Sequence, residues 1–288
     1  MKSLFFYGTK EDNTNVTEIC FNKLLYKKSV VVIPKNDLVR ISYFGDPSIG
    51  KTKKIMVIQD GRLQDHDDSN YVVVSLIYPL APKLERIHRS LEFKHGSFSE
   101  NLPQQKMALA FLTGSESVLE IGGNIGRNTL VIASIVDNYK FVTMESDSSK
   151  AMLLTENKHL NNFFFKIENA ALSKRKLIQK DMEIKQSEVL EPGYNWVNTI
   201  DYSNLTAKYK TNFDTLILNC RNLFFYILMD MPEILNGINL ILMENEYTDI
   251  TQKEYVDSVL KSNHFELLYS EGGGLGPCSS NFFEAWKK

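Results

Sequence analysis

The stretch Val118-Leu119-Glu120-Ile121-Gly122-Gly123-Asn124-Ile125-Gly126 limits the possible folds more than any other part of the chain. Its first four residues, apolar but for one acid, read as a buried strand. A glycine-rich turn follows, and RNTLVIASIV then carries a helical pattern. A strand, a tight turn and a helix in direct succession are the opening of a parallel crossover unit. The turn also places backbone N–H groups and the positive end of a helix beside the strand's carboxyl end.

From Ser115 onward, strand and helix patterns alternate. Strands are expected at VLEI, FVTME, FFFKI, DTLILN, NLILME, FELLYS and NFFEAW, and helices near 127–136, 148–161, 223–235 and 251–262. Ser146-Asp147-Ser148 supplies a cap for the second helix, and Thr251 opens the last. FELLYS and NFFEAW are joined by EGGGLGPCSS with no helix between them, which predicts an antiparallel hairpin at one edge. The expected fold is α/β: a mostly parallel, Rossmann-like sheet with that hairpin at its C-terminal end, the shape of class I S-adenosylmethionine (SAM) methyltransferases.

The preceding residues pattern differently. Residues 1–85 carry short apolar runs (SVVVIP, LVRISYF, KKIMVIQ, YVVVSLIY) separated by turn signals at Pro34–Asp37, Gly45–Pro47 and Asp60-Gly61. They predict a small β-rich module, with a helix only around EICFNKLL. Residues 86–114 read as a connecting region holding one helix from about Leu102 to Leu112, with Pro103 in its first turn and Gly114 at its stop. Residues 115–288 form the α/β domain. Residues 173–212 are a weakly patterned insertion, placed where a cover over a crevice would arise.

The ligand is indicated by a second acid. About two dozen residues after Glu120, the strand Phe141-Val142-Thr143-Met144 ends in Glu145, a carboxylate placed to accept hydrogen bonds from two ribose hydroxyls. Two acids and a glycine turn point to SAM. Gly122, Gly123 and Gly126 lack the G-x-G-x-x-G spacing of a dinucleotide turn. Gly45-Asp46-Pro47-Ser48-Ile49-Gly50-Lys51-Thr52 satisfies the phosphate-loop pattern in full. That pattern requires a helix after it, whereas KKIMVIQ reads as a strand, so a hairpin loop is expected there. A plain strand-turn-helix with no ligand is the bland alternative for the opening motif.

Composition excludes several classes. The chain has 288 residues, 43% hydrophobic and 24% charged, with a net charge of −2. Nothing general in that balance calls for nucleic acid, and no run approaches the roughly 20 apolar residues of a membrane span. Three dispersed cysteines suggest a reducing compartment. The five histidines have no metal-ligand spacing, and no metal is expected. His95 reads as a surface residue, and Lys174-Arg175-Lys176 as a solvated turn. Cys220, Tyr194, Trp196 and Tyr247 fit core or rim positions as readily as contacts to an acceptor. A cytoplasmic protein is expected.

The segments VLEIGGNIGRNTLVIAS, FVTMESD, LLTENKHLNN and IENAALS together resemble the FkbM-type methyltransferase family over about residues 95–288. The N-terminal part is also similar, through FGDPSIGKTKKIMVI, to small β modules in proteins of large DNA viruses, which would place the chain in host cytoplasm or virion. The family resemblance implies SAM-dependent O-methylation of a hydroxyl on a carbohydrate or glycosylated acceptor. It implies that Glu120, Gly122, Asn124 and Gly126, with Gly123 and Asn128, hold the methionine and ribose end of SAM. Glu145 would hold the ribose, and Asn169 and Ala170 would lie near the adenine.

After the fourth strand the sequence departs from the family. Where such proteins carry Asp-x-Glu-Gly, this chain has Asn219-Cys220-Arg221-Asn222, with Phe224 in place of a further acid. An amide is no general base and an arginine reverses the charge. Asn219 and Glu244, with Glu246 next along, remain the candidates on the acceptor side. Two readings therefore stand: an O-methyltransferase, or a catalytically silent relative serving as a binding or assembly module. RNA methylation is disfavoured by the lack of a basic-aromatic groove.

Overall fold

The computed structural model describes residues 3–26, 30–59, 62–75, 80–181 and 183–288. Its centre is a seven-stranded sheet. The strands are β1 (Val118–Ile121), β2 (Phe141–Met144), β3 (Lys166–Glu168), β4 (Thr215–Leu218), β5 (Leu240–Glu244), β6 (Glu266–Glu271) and β7 (Phe283–Lys287). They lie in the order β3-β2-β1-β4-β5-β7-β6. The first five are parallel, and β7 runs antiparallel to both β5 and β6. This order, with its C-terminal antiparallel hairpin, is the class I methyltransferase form of the Rossmann-like sheet. The order reverses between β1 and β4, and ligands of such sheets bind outside the strands' carboxyl ends at that point.

The strands read as unbroken apolar runs because helices cover both faces. Residues of β1, β2, β4 and β5 alternate between two large cores: Leu119, Ile121, Val142 and Leu216 in one, Val118, Phe141, Ile217 and Leu240 in the other. The helices include α1 (Leu102–Phe111), α2 (Thr129–Ala133), α3 (Ser148–Leu160), α4 (Leu223–Asp230) and α5 (Ile250–Ser262), of which α3 and α4 line the crevice. Asp147 caps α3 through the N–H groups of Ser149 and Lys150, and Asp249 caps α5 through that of Thr251. Two helices are shorter than their patterns predict. α2 ends at Ala133, and α4 stops at Asp230 because Pro232 begins a separate 3₁₀ turn.

The N-terminal module is β-rich but holds more helix than its sequence suggests. It contains the sheets 13–15/4–8/54–59/62–66 and 25–26/30–33/72–75. LVRISYF is not a strand: Asp37–Phe44 is a helix, started by Asn36, whose side chain accepts from the N–H of Leu38. Arg40 and Phe44 face inward at helical spacing, and the Arg40 guanidinium donates to the carbonyls of Pro34 and Asn70. A second helix, Leu80–Ser90, runs across residue 85, where the sequence places the module's end. Asp60-Gly61 and the end of YVVVSLIY lie outside the described residues.

The phosphate-loop-like segment joins the first of these helices to strand Lys54–Gln59, and no helix follows it. Lys51 is exposed. The buried lysine is Lys53, which pairs with Asp37 at 3.0 Å and Asp46 at 3.1 Å. The loop is thus pinned by its own charges. No helix among the described residues is long and apolar enough to cross a membrane.

Candidate functional site

The glycine turn is built by three constraints. The N–H groups of Gly122 and Gly123 both donate to the Met144 carbonyl at 2.9 Å, tying the turn to β2. Gly122 has a φ of 97°, and a Cβ there would overlap the backbone carbonyl of Asn219. Only glycine admits the end of β4 so close. Asn124, with a φ of 50°, aims its own N–H at Glu145 Oε2, 2.8 Å away. The N–H groups of this turn are thus engaged within the protein.

Glu120 lies beneath the turn rather than in the crevice. It is 2% exposed; Oε2 accepts from the hydroxyls of Thr129 at 2.6 Å and Thr143 at 2.8 Å. Asn128 Nδ2 approaches Oε1 at 3.4 Å. Burial pushes its carboxyl up to about 7 against these hydroxyl donors. Its role in the geometry is to bolt β1, β2 and the start of α2 together. Gly123 and Gly126 serve packing: a Cβ on either would press on Leu154 of α3. Asn128 is buried, and its Oδ1 has no hydrogen-bond partner.

Glu145 does line the crevice. It follows β2, is 7% exposed, and accepts from the N–H groups of Asn124 and Asp147, both at 2.8 Å. Each carboxylate oxygen keeps a further lone pair for a ligand hydroxyl. Burial raises its pKa, against the pull of these two N–H groups. Asn169 does not line the crevice. Its Nδ2 donates to the Glu145 carbonyl at 2.8 Å and its Oδ1 accepts from Ser148, so it fixes the end of β2 to α3. Ala170 does line it, with Ala171 and Leu172 beyond.

The crevice itself has an empty volume of about 700 Å³, open to solvent on one side, above the carboxyl ends of β1, β2 and β4. Its far wall comes from the insertion. Strands 177–180 and 183–186 form a hairpin joined by strand 195–197, and Gln179 and Ile184 reach the crevice from it. Ser146 donates to Gln179 Oε1 at 2.8 Å, tying this cover to the rim. The basic run 174–176 holds the cover in place. Arg175 grips both Asp230 oxygens at 2.5 and 2.8 Å and stacks on Tyr226, while Lys176 pairs with Glu188. An adjoining pocket opens between the cover and α4, sharing Leu172, Ile184, Leu223 and Ile227 with the crevice.

Beyond the ends of β4 and β5, Asn219, Cys220, Arg221 and Glu246 line the crevice. Asn219 Nδ2 lies 3.5 Å from the buried Gln104 Oε1. Cys220 is buried, and desolvation pushes its thiol up to about 12. Glu244, at the end of β5, is partly buried and does not line the crevice as its sequence position suggests; burial and the charge of Glu246 push it up to about 8. His95 is turned away from the site, 2.7 Å from Glu156 on α3. Tyr247 is buried in the core and Trp196 is half exposed on the cover. Among the described residues no cluster of His, Cys, Asp or Glu would hold a metal ion.

Residue-type reasoning did not reach Gln104, Gln179 or Ile184. Gln104 is one of three consecutive polar residues, Gln104-Gln105-Lys106, and its burial does not follow from its type. The other two depend on a hairpin whose alternation is interrupted by charge.

No family model matches the sequence, and no curated protein matches it. Among solved structures, the chain is similar to the ribosomal protein L11 methylase of Lactobacillus delbrueckii subsp. bulgaricus, with a TM-score of 0.42, 12% identity, and 65% of this chain and 79% of that one covered. It is also similar to an O-methyltransferase from Bacillus cereus in complex with S-adenosylhomocysteine (SAH), with a TM-score of 0.41, 13% identity, and 74% and 93% covered. The O-methyltransferase TomG from Streptomyces achromogenes, in complex with SAM, gives a TM-score of 0.41, 14% identity, and 72% and 88% covered. Likeness at this level assigns no role to any residue; the fold rests on strand order and direction.

Proposed function

We propose that the protein is a SAM-dependent O-methyltransferase whose acceptor is a carbohydrate or a glycosylated small molecule. The observation that carries the cofactor reading is Glu145. It is a nearly buried carboxylate at the end of β2, lining a crevice at the switch point of the sheet, with lone pairs left for two vicinal hydroxyls. Gly122 and Asn124 would flank the methionine part, and Ala170 to Leu172 offer apolar surface to the adenine. SAM supplies an electrophilic methyl on a sulfonium. The chain has only to hold the cofactor, align the acceptor and exclude water, and proximity of this kind accounts for much of a methyl transfer. Glu120, Asn169 and Gly126 act at one remove, by holding the turn and Glu145 in place.

Titration calorimetry with SAH tests this. Saturable binding is expected, weakened about 10- to 100-fold in Glu145→Ala, in line with loss of hydrogen bonds to a charged group. No binding at millimolar SAH would sink the proposal. A second reading is favoured by Asn219 and Arg221: a domain that binds cofactor or partner without turnover. SAH binding with no methylated product from any acceptor would support it.

A further inference from the structure

The acceptor end of the crevice offers a cation, Arg221, and one carboxylate, Glu246. Arg221 lines the crevice in left-handed backbone, with a φ of 54° and a side chain 42% exposed. Its acidic neighbour is Glu246, whose Oε2 lies 3.9 Å from Arg221 Nε, beyond hydrogen-bond range. A loose, half-exposed pair of this kind contributes little, so a ligand anion displaces Glu246 at small cost. Glu246 stands beside the guanidinium, and the other polar groups near it are poor bases. Asn219 is an amide, the Cys220 thiol is buried, and Glu244 does not line the crevice. A sugar alcohol placed here would have Glu246 alone as its base, and that carboxylate is opposed by Arg221, whereas an acceptor that is already an anion needs no base.

We propose that the acceptor is a carboxylic acid, held by Arg221, and that the methyl group goes to one of its carboxylate oxygens. The proposal rests on the SAM reading above and names the acceptor for the same crevice. A carboxylic acid is ionised at neutral pH without help. The guanidinium fork takes the carboxylate with parallel N–H donors, and about four lone-pair sites leave one free for attack. In the transfer, an oxygen lone pair forms the O–CH₃ bond as the S–CH₃ bond breaks. The electron pair of that bond stays on sulfur, which passes from sulfonium to neutral thioether. No proton moves, and the products are a methyl ester and SAH. An acidic sugar such as a uronic acid meets this requirement and the carbohydrate expectation together.

The test uses the full chain with SAM labelled in the methyl group. The acids are D-glucuronate, D-galacturonate, benzoate and succinate. The neutral counterparts are glucose, galactose and benzyl alcohol. Methyl esters release labelled methanol in mild alkali; methyl ethers do not. The expected result is alkali-labile label from at least one acid and none from the neutral compounds. Arg221→Gln is then expected to raise the KM for that acid by about tenfold or more with kcat within about threefold, the size of a lost charge-assisted contact made in ground and transition states alike. Arg221→Lys restores part of the loss, and Glu246→Gln lowers the KM. Alkali-stable label, equal labelling of the neutral compounds, or a KM unmoved in Arg221→Gln would overturn the proposal. SAH binding without label from any acid also overturns it while leaving the cofactor reading intact. Absence of SAH binding removes the cofactor reading, and this proposal falls with it.

Discussion

At the scale of single residues, two buried acids divide the work that their sequence positions suggest they share. Glu120 faces three neighbours inside the protein and Glu145 faces the crevice. Both were visible as acids at strand ends. What the sequence does not convey is that Thr129 and Thr143 converge on Glu120, because that depends on the register of β1 against β2, which sets Glu120 opposite Thr143. Glu244 gives a pH signature. Its folded pKa, pushed up to about 8, lies above the ordinary carboxylate value, so the native state binds a proton that the unfolded chain gives up sooner. The stability this contributes is full below the unfolded pKa and is lost as pH rises through about 8. Glu120 adds a slope of the same sign up to about 7. Glu244→Gln mimics the protonated form. Thermal unfolding from about pH 5 to about pH 9 should show the wild-type Tm falling more steeply than the variant's. Parallel curves would contradict this assignment.

At the scale of elements, the connecting region does more than link. Asn157 of α3 is fully buried. Its Oδ1 accepts from the N–H groups of Lys94 at 3.0 Å and His95 at 3.2 Å, and its Nδ2 donates to the Ile125 carbonyl at 2.8 Å. One side chain thereby ties residues 94–95 to the turn after Asn124. Asn157→Ala leaves these part-buried groups without their partner, at a cost of about 1–3 kcal/mol. Hydrogen exchange should then quicken at Lys94 and His95 more than in β1 or β4; unchanged protection there would refute this role. The βα alternation from Ser115 was legible because helix and strand periods differ and the strands are uniformly apolar. Asp37–Phe44 was not, because LVRISYF is β-branched and aromatic enough to fit a strand. Its helix is decided by the Asn36 cap and by the burial of Arg40 and Phe44. The insertion was legible only as a place where a cover would form, since its register is set by cross-chain ties such as Ser146 to Gln179.

At the scale of the whole molecule, the N-terminal module and the α/β domain share a core. Tyr26, Val30 and Val32 pack in one cluster with Phe111, Tyr269 and Phe282, and Tyr26 meets Phe111 edge-on with ring centres 5.4 Å apart. The module therefore buttresses α1 and the β6–β7 edge, while Gln104 of α1 carries that support to Asn219 at the crevice. The Glu145 side of the crevice is tightly held, and the other side combines Asn219, Arg221 and Glu246. The most direct measurement of the central claim is a crystal structure of the protein with SAH. The ribose hydroxyls are expected within hydrogen-bond distance of Glu145, with the sulfur toward Asn219 and Arg221. SAH bound elsewhere, or excluded from a crevice whose Glu145 carboxylate stays closed on Asn124 and Asp147, would contradict it.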